Sequence, residues 1–529
     1  ADSSLIFKAM EDEMAHVCHE LATRHNTVPL FVNYVLERKH TSGTESSGGV
    51  CVNKRKGNVK NSISVHIFLG DSLVTNDTGV EHHPQNIPDE IGYDRIRDAF
   101  RSKSEIAYQG AVQRLDNKRT HLKQNPKPAD NAVVPEFKRM PPAVWIGPSA
   151  LTIPCPVTDM EQLSNRLSKV FSDYPELFNH CVKVYQKRVD YYRLTSEGQK
   201  ILQPDTVFHI TARASIKTDG NEVKTEYYRL HVGGINDLPS EDALIGELHR
   251  FAEYMQQKSQ AKAVEDLYIG PVLYEDDAAM ELLAEKIADY SHSYWISIRN
   301  QSDRKHRYLG KQVFPPALSV CQLGNDSVYN GVKLLGYRQV DADGTKPKTL
   351  PIIEKGILKH MLTGRTPSLG CPASTGNEHF DGLSRTLETR YTAGVFRVTS
   401  NRPVNFHIHN MDVGFGKAYK RFLKAAKKAG LEHTYIIRKN RTSPYALIRV
   451  DLSTGKEELV EGNYNSPSRE QFKRMHAISK EENVYNLDPA GGKGLGIISP
   501  KAILLEDMEL DITPNRARHI DEAFYELRH

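Results

Sequence analysis

Hydrophobic spacing along this chain alternates between a helical and an extended period. Phe7, Met10, Met14, Val17 and Leu21 fall three or four apart, which predicts a helix over residues 7–22. Residues 31–36 read as a strand, as do 49–53 and 62–69, the last with Ile63, Val65, Ile67 and Leu69 on one face. The Gly- and Ser-rich stretch 42–48 predicts a spacer, and polar 77–88, with Pro84 and Pro88, predicts a loop. A charged helix is expected over 93–124, with a break near Gly110. Its length, at about 1.5 Å per residue, suits a brace, an arm or a partner surface. The six prolines of 125–148 predict a linker or a chain draped over a surface.

A helix follows over 161–171, then strands over 181–189, 191–195, 207–214 and 225–231. Ser196-Glu197-Gly198 suits a hairpin turn among them. Ser240 reads as the N-cap of a helix reaching 257, with Glu241 and Asp242 in its first turn. From 268 onward the pattern shifts to strands and glycine turns. Residues 270–275 form a short apolar strand, and an Ala/Leu/Glu-rich helix runs over 276–290. Strands are expected at 314–321, 349–354, 357–362 and 392–399, with turns at 341–344 and Lys355-Gly356. A helix over 412–429 ends at Gly430 as its C-cap. Strands over 435–438, 446–451 and 458–461 follow, with a hairpin turn at 453–456 and short apolar runs at 497–498 and 502–505. No short-period repeat is present.

Composition narrows the class. The 529 residues suit two to four domains, and 39% hydrophobic with 26% charged residues suits a globular chain with cores. The 70 basic and 66 acidic residues leave a net charge of +4, so no overall attraction to nucleic acid is expected. Residues 417–428 alternate lysines with apolar positions, as the wet face of a surface helix does. No apolar run is long enough to span a membrane as a helix. Cys18, Cys51, Cys155, Cys181, Cys321 and Cys371 are too scattered for a C-x-x-C pair and read as buried thiols, with disulfides left open. A chain beginning Ala1-Asp2 is what signal-peptide removal would leave, and what a chosen start would leave too.

The helix over 276–290 carries the first candidate chemistry. A zinc peptidase would set paired histidines and a glutamate on one helix face. Here Glu285 is present, and the nearest histidine, His292, lies beyond the helical pattern. Metal ligands from elsewhere are an alternative. His407 and His409 share one face if extended, and His379 with Asp381 or Asp412 could join them. His82-His83 is a weaker pair, because adjacent extended side chains point apart. Cys371 sits in a Gly/Ser-rich loop but reads as a structural thiol. Residues 491–496 are glycine-rich but lack the P-loop spacing. Residues 363–390 hold Arg365, Arg385 and Arg390, any of which could grip a peptide carboxylate while a sheet edge takes its backbone; the same loop could instead pack at a dimer interface.

Taken in order, these segments resemble the TldD/PmbA superfamily, the modulator-of-DNA-gyrase and peptidase U62-like proteins. Residues 7–14 resemble the opening helix of a divergent branch often made with signal peptides. Gly270-Pro271-Val272-Leu273-Tyr274-Glu275-Asp276-Asp277-Ala278-Ala279 resembles the entry into the family's C-terminal domain. Residues 350–363 match by position. Residues 463–486, with Ser466-Pro467-Ser468 and Val484-Tyr485-Asn486, and then 497–506, match the tail. The resemblance covers nearly the whole chain and rests on the order of the segments.

The resemblance implies an α+β fold: an N-terminal α/β region with long helices (1–265), then a β-rich domain of curved, barrel-like antiparallel sheets (266–529). It implies a homodimer, or a heterodimer with a related subunit, and a peptide or unfolded segment as ligand. Active members are zinc peptidases with an H-E-x-x-x-H helix. Aligned here, the two histidine positions are Ala284 and Asp289, and the glutamate is Glu285. PmbA-like members also lack the motif and partner an active subunit. The expectation is therefore a non-catalytic, PmbA-like protein, extracytoplasmic or periplasmic, without a cofactor. The rivals are a metallopeptidase holding zinc through relocated ligands and a structural homodimer without ligand.

Overall fold

The computed structural model describes residues 2–77, 84–126, 135–154, 156–264, 267–291, 305–367, 370–378, 394–400, 417–443, 445–479, 481–487 and 494–511. His379, Arg385, Arg390, His407, His409, Asp381, Asp412, His82, His83, His292 and Cys155 lie outside these described residues.

In chain order the N-terminal elements are α1 (Ser3–Arg24), β1 (Phe31–Ser47), β2 (Val50–Arg55), β3 (Val59–Phe68), β4 (Gln85–Ile87) and α2 (Tyr93–Gln124). Then come β5 (Ala143–Ile146), α3 (Val157–Ser168), β6 (Phe178–Thr195), β7 (Gln199–Lys217), β8 (Val223–Val232) and α4 (Glu241–Ser259). The remainder is β9 (Lys262–Ala263), β10 (Tyr268–Asp276), α5 (Asp277–Ser291), β11 (Leu318–Gln322), β12 (Val328–Tyr329), β13 (Val332–Lys333), β14 (Leu350–Glu354), β15 (Ile357–Leu358), β16 (Gly394–Ser400) and α6 (Lys417–Lys428). It closes with β17 (His433–Lys439), β18 (Thr442–Ser443), β19 (Ala446–Asp451), β20 (Glu457–Glu461), β21 (Asn463–Tyr464), α7 (Arg469–Lys473), β22 (Met475–Ile478), β23 (Glu482–Leu487), β24 (Leu495–Pro500) and β25 (Ala502–Asp511).

A nine-stranded sheet runs β18-β8-β7-β6-β1-β3-β4, with β2 added to β1 and β5 to β7. Period-two alternation gives its strands two faces. Val182, Val184, Tyr192 and Leu194 of β6 lie under the helices, α1 and α2 at one end and α3 and α4 at the other. Val189 and Tyr191, one register off, face the opposite way and meet Ala342 and Ile201.

The structure departs from the sequence pattern in several places: residues 85–87 of the expected 77–88 loop form β4 on β3, and the strands expected at 181–189 and 191–195 are the single strand β6. Residues 42–47 are strand, not spacer, because Thr44 and Ser46 exchange hydrogen bonds with buried Ser164 of α3. The turn shrinks to Gly48 and Gly49, both at positive φ. The helix over 93–124 has no break at Gly110, and it is not an arm: Ile96, Phe100, Ala111 and Leu115 bury one stripe against α1 and the sheet. The proline-rich stretch contributes β5, which pairs in parallel with β7.

Two further sheets hold the other core. An eight-stranded sheet runs β21-β25-β10-β17-β19-β20-β9, with β22 on β25, and a six-stranded sheet runs β15-β14-β11-β16-β24-β23. Only Lys501 separates β24 from β25, so the chain turns from one sheet into the other there. Helix α5 packs where these sheets meet. Leu283 and Ile287 join Val320, Ile353, Phe396 and Ile497 of one sheet and Val272, Tyr274 and Leu505 of the other. Leu273 points the opposite way, to Tyr419 and Phe422 of α6. Being covered on both faces explains why β10 reads as a continuous apolar run.

Candidate functional site

Helix α5 starts where Asp276 takes a left-handed turn at φ 53° after β10. Asp277 accepts the Arg441 backbone N–H at 2.7 Å, and burial raises its carboxyl to about 6. The apolar stripe of Ala279, Leu283 and Ile287 fixes the rotation of the helix. That rotation sends Glu281, Glu285 and Lys286 toward the 463–468 segment and β23. The Glu281 carboxylate accepts from Lys439 Nζ at 2.6 Å and Tyr485 Oη at 2.8 Å.

The next turn carries Glu285 and Lys286. Ser466 Oγ donates to Glu285 Oε1 at 2.8 Å. Lys286 Nζ stands 3.4 Å from Glu285 Oε1, 3.3 Å from Ser466 Oγ and 3.9 Å from Asp289 Oδ2. The lysine side chain is only 6% exposed, against 34% for Glu285 and 40% for Asp289. Ser466 is placed by the turn into α7, where Ser468 and Gln471 make reciprocal capping bonds. Beneath lies an aromatic floor, with the Tyr274 and Tyr464 rings 5.8 Å apart and Tyr445 and Tyr464 4.5 Å apart. The Tyr274 hydroxyl is buried without a hydrogen-bond partner among the described residues. Burial raises its pKa, and the charges of Tyr445 and Glu285 add to the shift.

These residues do not fit a zinc ion. Ala284, at the first histidine position, is buried and has no lone pair. Asp289 and Glu285 already face an ammonium. At an effective dielectric of about 20, a divalent ion about 4 Å from that ammonium would meet about 8 kcal/mol of repulsion. Among the described residues no three His, Cys, Asp or Glu side chains converge as a metal set.

The three arginines proposed to hold a carboxylate divide between described and undescribed residues. Arg365 alone is described, and it is buried. Its guanidinium donates to Asp343 Oδ1 at 2.9 Å and Glu197 Oε2 at 3.1 Å, and sits 4.0 Å over the Phe31 ring. Burial opposes its charge, but the Asp343 and Glu197 carboxylates outweigh this and raise its pKa. Arg193 adds a second cation on Asp343 at 3.1 Å. Asp341 beside them accepts three backbone N–H groups, from Asp343, Thr345 and Glu378. Burial, followed by the Asp343 charge, pushes its carboxyl well up. This network ties the 341–345 turn and the 363–378 segment to the β6–β7 hairpin. The pairing could not be read from the sequence, since Glu197 and Arg365 lie far apart along the chain.

Other candidates resolve simply. Burial raises the Cys371 thiol, which disfavours the thiolate a nucleophile needs. Cys18, Cys51, Cys181, Cys321 and Cys371 are free thiols. Gly494 of the glycine-rich stretch sits where a Cβ would come within 2.1 Å of the Leu335 carbonyl, which gives that glycine a packing reason.

Residues 269–414 match the family model described as the PmbA/TldA metallopeptidase C-terminal domain. The family-level match is to the TldD/PmbA superfamily. Its start falls in β10, one residue before the Gly270 segment that carried the resemblance. Solved structures agree in fold across 95% of this chain. One is a proposed modulator of a DNA gyrase from Thermotoga maritima, 13% identical, TM-score 0.56, covered over 100% of its length. Another is TldE from Thermococcus kodakarensis, at 11%, 0.53 and 99%. A third is a proposed modulator of DNA gyrase from Bacteroides thetaiotaomicron, at 12%, 0.57 and 98%. The TldD/PmbA-like architecture is thus α+β, with N-terminal helices and curved, half-barrel-like, largely antiparallel sheets in the C-terminal part, where β10 with β17 and β16 with β24 pair in parallel. No curated protein matches the chain in sequence.

Proposed function

We propose that this chain is a PmbA-like protein that holds peptides or unfolded segments without cutting them, alone as a homodimer or beside a related active subunit. The association with peptide binding and proteolysis follows from the family-level match. The observation that carries the non-catalytic part is the polar face of α5. The aligned histidine positions are Ala284 and Asp289, and the Lys286 ammonium lies against the remaining carboxylates. A metallopeptidase needs ligands with an open position and a water that the metal can acidify. Glu285 instead accepts a serine hydroxyl. An extracytoplasmic location belongs to the same reading.

The test uses the full chain purified without added metal, with metal content, peptide cleavage and peptide retention measured on one sample. Retained, uncut peptide with no stoichiometric zinc is expected. Cleavage together with zinc that disappears on His407→Ala or His409→Ala would transfer the assignment to a metallopeptidase with relocated ligands. Neither metal nor peptide would leave a structural homodimer.

A further inference from the structure

The misfit between α5 and a metal ion has a specific agent. This inference deepens the reading of α5 as a metal-free face and rests on it. Lys286 precedes Asp289 by three positions, which puts the two on one helix face, and its long side chain bends back toward Glu285 and Ser466. Its stem is enclosed and its ammonium emerges between Glu285 Oε1, Ser466 Oγ and Asp289 Oδ2, at 3.4, 3.3 and 3.9 Å. Among the described residues the ammonium donates to Glu285 and Ser466, with the Asp289 carboxylate nearby as an ion-pair partner. A divalent ion coordinated by the same carboxylates would also be ringed by oxygens. Two of the three side chains holding Lys286 are helix residues, and the third, Ser466, comes from the segment after β21.

We propose that Lys286 is a resident cation that takes the place of the metal: it neutralises the α5 carboxylates, pins the 465–468 segment to the helix through Ser466, and excludes divalent ions from this face. Two features favour this over a chance surface pair. The lysine side chain is almost wholly buried, and a buried ammonium is tolerated only where carboxylates or hydroxyls compensate it. The neighbouring Tyr274 hydroxyl is buried, lacks a hydrogen-bond partner among the described residues and feels the Glu285 charge. Without the ammonium, Glu285, itself 34% exposed, would lie near a buried hydroxyl that makes no hydrogen bond to it.

The test restores the missing ligands with and without the lysine. The full chain is prepared as Ala284→His/Asp289→His, as that double variant with Lys286→Met, and as that double variant with Lys286→Arg. Zinc bound per chain is measured by elemental analysis after dialysis against buffered zinc. The Met triple variant should take up about one zinc per chain, with affinity at least about tenfold above the double variant. The Arg triple variant should stay as metal-poor as the double, because charge and not bulk is what excludes the ion. Equal zinc in all three, or zinc in none, overturns the proposal. Should the triple variants misfold, a double-mutant cycle in the native background replaces them. Lys286→Met alone should lower the unfolding midpoint and Lys286→Met/Glu285→Gln should recover it, whereas additive losses refute the ion cluster. Peptide retention enters neither measurement, so failure of the peptide-holding reading remains distinguishable.

Discussion

Arg365 offers the sharpest separation between a binding role and a structural one. Its side chain is 1% exposed, and its partners Asp343 and Glu197 are 0% and 5% exposed. Replacing it with Met keeps much of the volume and removes the charge. Asp343 would retain Arg193 at 3.1 Å, but Glu197 would lose its guanidinium contact. Removing one partner of a buried ion pair costs about 3–5 kcal/mol, because the carboxylate left behind has lost its solvent. Loss of the guanidinium over the Phe31 ring adds about 1 kcal/mol. Arg365→Met should therefore lower stability by about 4–6 kcal/mol in urea unfolding followed by tyrosine and tryptophan fluorescence. Arg365→Lys should fall between, since an ammonium keeps the charge but cannot reproduce the two-sided fork. A loss under about 1 kcal/mol for the Met variant would refute the structural role of Arg365. Lost peptide retention at unchanged stability would show Arg365 to be a ligand-holding residue instead.

Glu226 predicts an unusual pH dependence. Burial raises its carboxyl to about 7, opposed by Lys258, whose Nζ lies 3.4 Å away. A carboxyl raised in the folded state contributes stability below its unfolded pKa of about 4.5 and loses that contribution as pH rises through 7. Glu226→Gln should flatten the stability profile between pH 4.5 and 7 and raise stability at pH 8; a parallel profile would contradict the assignment. Gly356 turns β14 into β15 at φ 80°, and an added Cβ would sit 2.3 Å from the Phe314 carbonyl. Gly356→Ala should cost more than about 1 kcal/mol by thermal or urea unfolding, and a neutral effect would show that the turn relaxes.

Local periodicity recovered those elements whose two faces differ. Helix α1, β3, α4 with its Ser240 cap and the β14–β15 hairpin all carry a stripe or a turn residue that needs no distant partner. The Ser196-Glu197-Gly198 turn was equally legible, with Gly198 at φ 89°. Elements were misjudged where a distant partner decided them. The polar end of β1 is strand because α3 supplies hydroxyl partners, which no local pattern records. Gly110 stays helical because neighbouring turns of α2 bury Ala107 and Ala111 against α1 and the sheet, and that packing outweighs a glycine cost of about 1 kcal/mol.

The candidate site divides in the same way. The residues at 284, 285 and 289 are fixed by sequence, so the absence of paired histidines on α5 needed no coordinates. That Lys286 would be enclosed, and that Ser466 would meet Glu285 from a remote segment, required the packing of the 463–468 stretch over the helix. Arg365 looked like an available cation on a polar loop. Only the fold shows it committed to Glu197 and Asp343. The sequence by itself determined which residue types each element could offer and which face they share, since both follow from periods of 3.6 and 2 along one chain. Tertiary structure decided which charges meet and which are buried, because desolvation and ion pairing depend on atoms brought together from distant positions.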